Sequence, residues 1–193
     1  MKLLVAVPIT GYHDKELSQV IAVLDANSMP YDFVSNEKGM AKGTFGGRVA
    51  VNLTFEDVLL SDAEGYDGII VLGGNGCQQH FWNSSALHDL LRQMRIQKKV
   101  IGGISTGPVA MARAGILKKR VATVINGPPI REMLKNEAKY EDKPLIFFDR
   151  IVTARDPTQA KRFAEIVIEY ILGNPEFNGP QIVPAPNKLG FDI

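Results

Sequence analysis

The segment Gly103-Ile104-Ser105-Thr106-Gly107 places a serine between two glycines. It follows the apolar run Val100 to Ile104 and leads into an Ala-rich helical segment. In that context G-x-S-x-G reads as a nucleophile elbow, a sharp turn from strand to helix above the carboxyl end of a sheet. Such a turn presents one small side chain where the first amides of the next helix stabilise negative charge. Two glycines around a serine also occur at an ordinary tight turn, so the flanking strand and helix give the motif its meaning. The chemistry open to Ser105 is attack on a carbonyl, hydrogen bonding to a ligand, or nothing beyond a tolerated polar side chain.

A serine nucleophile requires a base, and the chain has three histidines. His13 and His80 follow strand-like runs, in loops at the sheet edge where a doubly wound fold binds ligands. Each is open to a proton-transfer role or to a structural one. His88 lies beside Asp89 and Arg92, off the Leu87/Leu91/Met94 stripe, and is expected at the surface. Cys77, the single cysteine, follows Gly73-Gly74-Asn75-Gly76 at the start of a short helix. It reads as a small packed residue or, if exposed there, as a reactive thiol. Phe81-Trp82 suits a small-molecule wall, a dimer contact or core packing.

These residues need a frame. The 193 residues fit one domain with a substantial core, and 22 Lys plus Arg against 21 Asp plus Glu leave no basic face for nucleic acid. One cysteine excludes an intramolecular disulfide, metal-ligand spacings are absent, and no cofactor is expected. This composition suits a cytoplasmic protein. Leu3 to Ile9 has the length of a buried strand rather than a signal peptide, and no apolar run reaches membrane-spanning length.

Strands are expected at Leu3–Pro8, Tyr31–Ser35, Gly68–Leu72, Val100–Ile104 and Ile151–Thr153, alternating with helices at Asp14–Ala26, Ser85–Arg95 and Pro157–Leu172. This alternation predicts an α/β fold with a mostly parallel sheet and helices on both faces. Glycine punctuation with alternating Val49, Val51 and Leu53 predicts a hairpin between Gly39 and Phe55, and a second, irregular hairpin is expected over Pro144 to Thr153. The domain is placed at 1–172. The Pro-containing tail 173–193 carries enough apolar residues to pack on its own domain or on a partner subunit.

Val49-Ala50-Val51-Asn52-Leu53-Thr54-Phe55-Glu56-Asp57-Val58, Tyr66-Asp67-Gly68-Ile69-Ile70-Val71-Leu72-Gly73-Gly74 and the Ser105 elbow with Gly107-Pro108 behind it resemble the ThiJ/PfpI family of the class I glutamine amidotransferase-like superfamily. Thr153-Ala154-Arg155-Asp156-Pro157 is similar to the family's Ser-Arg-x-Pro segment. The resemblance covers roughly Leu3 to Leu172. It implies a flavodoxin-like sandwich, a homo-oligomer, and activities such as those of PfpI-type proteases, glyoxalase- or deglycase-like proteins and isocyanide hydratases.

The resemblance also implies residue roles. The family elbow carries a cysteine, often followed by histidine, with a glutamate after the first strand bonded to the sulfur. Here Ser105 replaces the cysteine and Thr106 the histidine; Glu16 matches the glutamate best, with His13 or Asp14 as shifted alternatives. The family's amide donors would fall on Gly74 and Thr106; together with Gly73, Asn75, Cys77 and Arg155 these are the expected substrate-binding residues. The serine matters physically. A thiol can be brought to ionise near neutral pH, whereas an alcohol stays protonated and needs a positioned base. The expectation is therefore a divergent member that binds a small polar or carbonyl-containing metabolite at Ser105 without cysteine-dependent activity. The alternatives are a hydrolase or hydratase using Ser105 with His80 or His13, and a redox-responsive protein using Cys77.

Overall fold

The computed structural model describes residues 1–173 and 181–183. In chain order the strands and helices are β1 (Leu3–Ala6), β2 (Thr10–Tyr12), α1 (Asp14–Ala26), β3 (Tyr31–Ser35), β4 (Gly39–Gly43), β5 (Arg48–Val51), β6 (Leu53–Thr54), α2 (Phe55–Leu60), β7 (Gly68–Val71), α3 (Cys77–His80), α4 (Ser85–Ile96), β8 (Val100–Ile104), α5 (Pro108–Arg113), β9 (Val121–Ala122), α6 (Pro128–Lys135), β10 (Lys139–Tyr140), β11 (Leu145–Phe148), β12 (Ile151–Ala154), α7 (Ala160–Ile171) and β13 (Gln181–Val183). The main sheet runs β13-β11-β12-β8-β7-β1-β3-β6. It is parallel from β12 to β6, with β11 and β13 added antiparallel at one edge.

Both faces of the sheet are covered because its central strands are apolar at successive positions. Leu4, Ala6, Ile69 and Val71 pack with Leu87, Leu90, Leu91 and Met94 of α4 on one face. Leu3, Val5, Ile70 and Leu72 pack with α1 and α7 on the other. Each fully buried Leu or Met contributes about 1.5–3 kcal/mol relative to exposure. α4 starts where Ser84 accepts a hydrogen bond from the Leu87 amide at 3.2 Å. The predicted Pro157–Leu172 helix opens with a 3-10 turn over Pro157–Gln159, capped by Asp156, before α7 begins.

The first predicted hairpin forms as β4–β5, which joins β2 in a small separate sheet, while β6 leaves it to pair with β3. The second forms as antiparallel β11–β12. Of the tail, β13 pairs with β11 of its own domain; 174–180 and 184–193 lie outside the described residues. No helix among the described residues is long and apolar enough to cross a membrane. The strands β1, β7 and β8 end side by side, and the loops that leave them build the candidate site.

Candidate functional site

Ser105 lies at the carboxyl end of β8 with φ +58°. A left-handed conformation costs a side-chain-bearing residue about 1–2 kcal/mol and persists only where the surroundings enforce it. Here the Ser105 amide donates to Ala154 O at 2.9 Å, its carbonyl accepts from the Ile125 amide at 3.2 Å, and the Gly107 amide closes the turn onto Ile104 O at 2.9 Å. Ser105 itself is only 3% exposed.

Glu16, on the first turn of α1, is fully buried and reaches this turn. Its Oε2 accepts from the Gly73 amide at 2.8 Å. A Cβ on Gly73 would lie 2.6 Å from Ser105 Cβ and 2.8 Å from Glu16 Oε2, so the three residues share one point. Burial pushes the Glu16 carboxyl up to about 8, against hydrogen bonding from the Gly73 amide and the Ser105 side chain, with Asp156 raising it further. Glu16 Oε1 has no aligned hydrogen bond among the described residues, so the Ser105 interaction is a close polar contact without ideal geometry. A carboxyl with this pKa is mostly protonated at neutral pH.

Thr106 corrects the expected oxyanion pair. Its hydroxyl accepts from the Gly74 amide and donates to the Gly74 carbonyl, both at 3.0 Å. The Gly74 N–H is therefore committed to a side chain and does not face an empty anion site. Gly74 has φ +128°, and a Cβ there would fall 2.2 Å from Gly11 O, so the loop packs this closely only with glycine. The Thr106 amide makes no hydrogen bond among the described residues and remains the donor at the turn. Asn75 is exposed beyond it.

The expected serine–histidine set is not assembled either. His80 Nε2 shares a hydrogen bond with Thr10 Oγ1 at 2.7 Å. His13 caps α1, its Nδ1 accepting from the Glu16 amide at 3.4 Å. Burial lowers the His13 pKa against the opposing charge of Asp14. Neither imidazole hydrogen-bonds Ser105 among the described residues: His13 is engaged by its own helix start, and His80 by Thr10 from the distant β2. Asp14, the other shifted alternative to Glu16, instead accepts from the Phe45 and Gly47 amides of the β4–β5 loop.

Cys77 is likewise not the exposed thiol considered from the sequence. Its side chain faces the core, with Sγ donating to Leu72 O at 3.2 Å. Burial pushes the thiol up to about 12, against a lowering contact from Thr106. Arg155 is engaged by Asp142 at 2.9 Å and Asp156 at 3.0 Å, a surface clamp at the start of the last helical segment. His88, expected at the surface, is half-buried with Nε2 enclosed. Phe81 and Trp82 are core residues, and Trp82 Nε1 donates to Thr106 O at 3.3 Å. Among the described residues, no group of three or more His, Cys, Asp or Glu stands together to hold a metal.

Sequence reasoning missed the Thr106 bridge and the Asp14 clamp. Gly43 and Gly47 were the available signal for the clamp, since a Cβ at either position would collide with the Asp14 carboxylate.

The fold agrees with that of known proteins this chain is similar to. It is 35% identical over 176 residues to the uncharacterised protein MJ0967 of Methanocaldococcus jannaschii, covering 91% of this chain and 84% of that protein. It is 30% identical over 124 residues to Deglycase PfpI of Pyrococcus furiosus, covering 64% and 71%. The crystal structure of a ThiJ/PfpI domain protein from Brachyspira murdochii superposes with TM-score 0.84 at 25% identity, covering 90% of this chain and 98% of that one. The DJ-1/PfpI family signature matches residues 1–170, and the chain belongs to the DJ-1/PfpI family.

Proposed function

We propose that this protein binds a small polar or carbonyl-containing metabolite at the Ser105 turn and performs no covalent chemistry there. The observation that carries this reading is the company of Ser105. Its side chain contacts a carboxyl that is largely protonated at neutral pH, and among the described residues no imidazole hydrogen-bonds it. An alcohol without a base remains a hydrogen-bonding group. Ser105 and the Thr106 amide supply contacts for a ligand oxygen, while Glu16 holds the serine from behind and acts through it. The P. furiosus relative carries the name deglycase; on this reading the ligand class is retained and the covalent step is lost.

Incubation with a serine-reactive fluorophosphonate at pH 7.5, followed by intact mass measurement, tests the chemical half of the proposal. The mass stays unchanged if Ser105 lacks a base. An adduct that disappears in Ser105→Ala would contradict it. The binding half is read from the Thr106 amide resonance on titration with small carbonyl compounds.

A further inference from the structure

Phe45 is an aromatic side chain left 73% exposed, and exposure alone would explain nothing. What distinguishes it is how firmly its backbone is held. The loop between β4 and β5 wraps around Asp14, whose carboxylate accepts from the Phe45 amide at 2.9 Å and the Gly47 amide at 2.6 Å. The Thr44 amide donates to Tyr12 O at 2.9 Å, and the Gly43 amide to Gly47 O at 2.8 Å. A Cβ on Gly47 would lie 2.5 Å from the Asp14 carboxylate, so the wrap requires a bare backbone.

The Phe45 ring meets His13 edge-on, centroids 5.6 Å apart at 71°. His13 in turn belongs to the site wall. Its amide donates to Gly73 O at 3.1 Å, and the Cβ position of Gly73 is the one that abuts Ser105. His13 also caps the helix that delivers Glu16. Direct contacts therefore link the serine through Gly73 and His13 to an aromatic ring carried on a clamped backbone. Holding the backbone that carries an apolar ring before any ligand arrives removes part of the ordering cost of binding to it.

We infer that Phe45 and His13 form an aromatic wall that receives the apolar part of the ligand, so that the preferred ligand class is a carbonyl compound bearing an aryl group. This inference rests on the binding reading above.

Pyruvate and phenylpyruvate, which differ by one phenyl group, are the probes, titrated into the full chain and followed by amide resonances. Phenylpyruvate should bind about tenfold more tightly than pyruvate, the scale of one aromatic contact plus its buried area. Phe45→Ala should reduce that preference to less than about twofold, the loss of that same contact, and leave pyruvate affinity unchanged. Phe45→Leu should retain part of the preference. The Gly47 amide resonance, unmoved in both variants, confirms that the loop stays clamped.

Equal affinity for the two probes, or a phenyl preference that survives Phe45→Ala, overturns the inference while shifts at Thr106 keep the binding reading intact. If neither probe moves Thr106, the binding reading itself fails. Phe45 shifts that follow protein concentration rather than probe concentration would assign the ring to a contact with a second copy of this chain and also overturn the inference.

Discussion

Ser105 and Cys77 flank the same glycine loop and divide between them what a cysteine elbow would combine. Ser105 has the geometry: φ +58°, a turn enforced by Ala154 and Ile125, and a carboxyl against its side chain. Cys77 has the ionisable atom, but it lies in relaxed helical backbone with Sγ turned onto Leu72 O, wholly enclosed. Burial acts on Cys77 and Glu16 in the same direction, raising both by disfavouring charge. Its consequences differ because Glu16 lies against the turn and the Ser105 side chain, whereas a protonated thiol in the core is inert packing. Reactivity in this fold follows from atom and location together, and this chain separates them.

Reuniting the two gives the largest expected effect. Ser105→Cys should create a thiol that iodoacetamide alkylates at pH 7.5 at least about a hundredfold faster than Cys77 in the parent, because a turn with donors lowers a thiol pKa and core burial raises it. Peptide mapping should place the adduct on residue 105. Alkylation of residue 77 at a comparable rate would break the contrast.

Glu16 supplies the next test. Its pKa of about 8 in the folded protein lies above the ordinary 4.5. Between these values the native state retains a proton that the unfolded chain has lost, so its contribution to stability falls as pH rises through this window and is level above it. From pH 4.5 to 9 the parent should therefore lose roughly 4 kcal/mol more than Glu16→Gln, measured by urea unfolding of both proteins. Parallel pH profiles would remove the buried acid from the account.

Smaller effects sharpen the same comparison. Thr106→Val deletes both hydrogen bonds to Gly74 and should cost about 1–3 kcal/mol, chiefly by leaving buried backbone groups unsatisfied. His80→Ala and His13→Ala should each cost less than about 1 kcal/mol, the scale of a weak cap or an exposed hydrogen bond, without altering fluorophosphonate labelling. A histidine variant that changed labelling would restore the triad that the described geometry lacks.

Much of the frame was legible in the sequence. Tyr31–Ser35, Val100–Ile104 and Asp14–Ala26 have the predicted bounds because apolar runs and helical stripes fix buried faces directly. The approach of Glu16 to Ser105 came from family resemblance, since spacing alone does not say which residue of a first turn points inward. The hydrogen bonds that decide the site were beyond periodicity. Whether the Thr106 hydroxyl captures Gly74, or Thr10 captures His80, depends on rotamers and on loops brought together from distant parts of the chain. A four-residue helix is also too short for its stripe to reveal that Cys77 faces inward.

The most direct test is to follow the Glu16 side-chain carboxyl carbon by NMR from pH 3 to 10. Titration near pH 8 is predicted, leaving Ser105 against a neutral acid at physiological pH. Titration near the ordinary carboxylate value would place a negative charge beside the serine, supply the missing base, and contradict a site that binds without attacking.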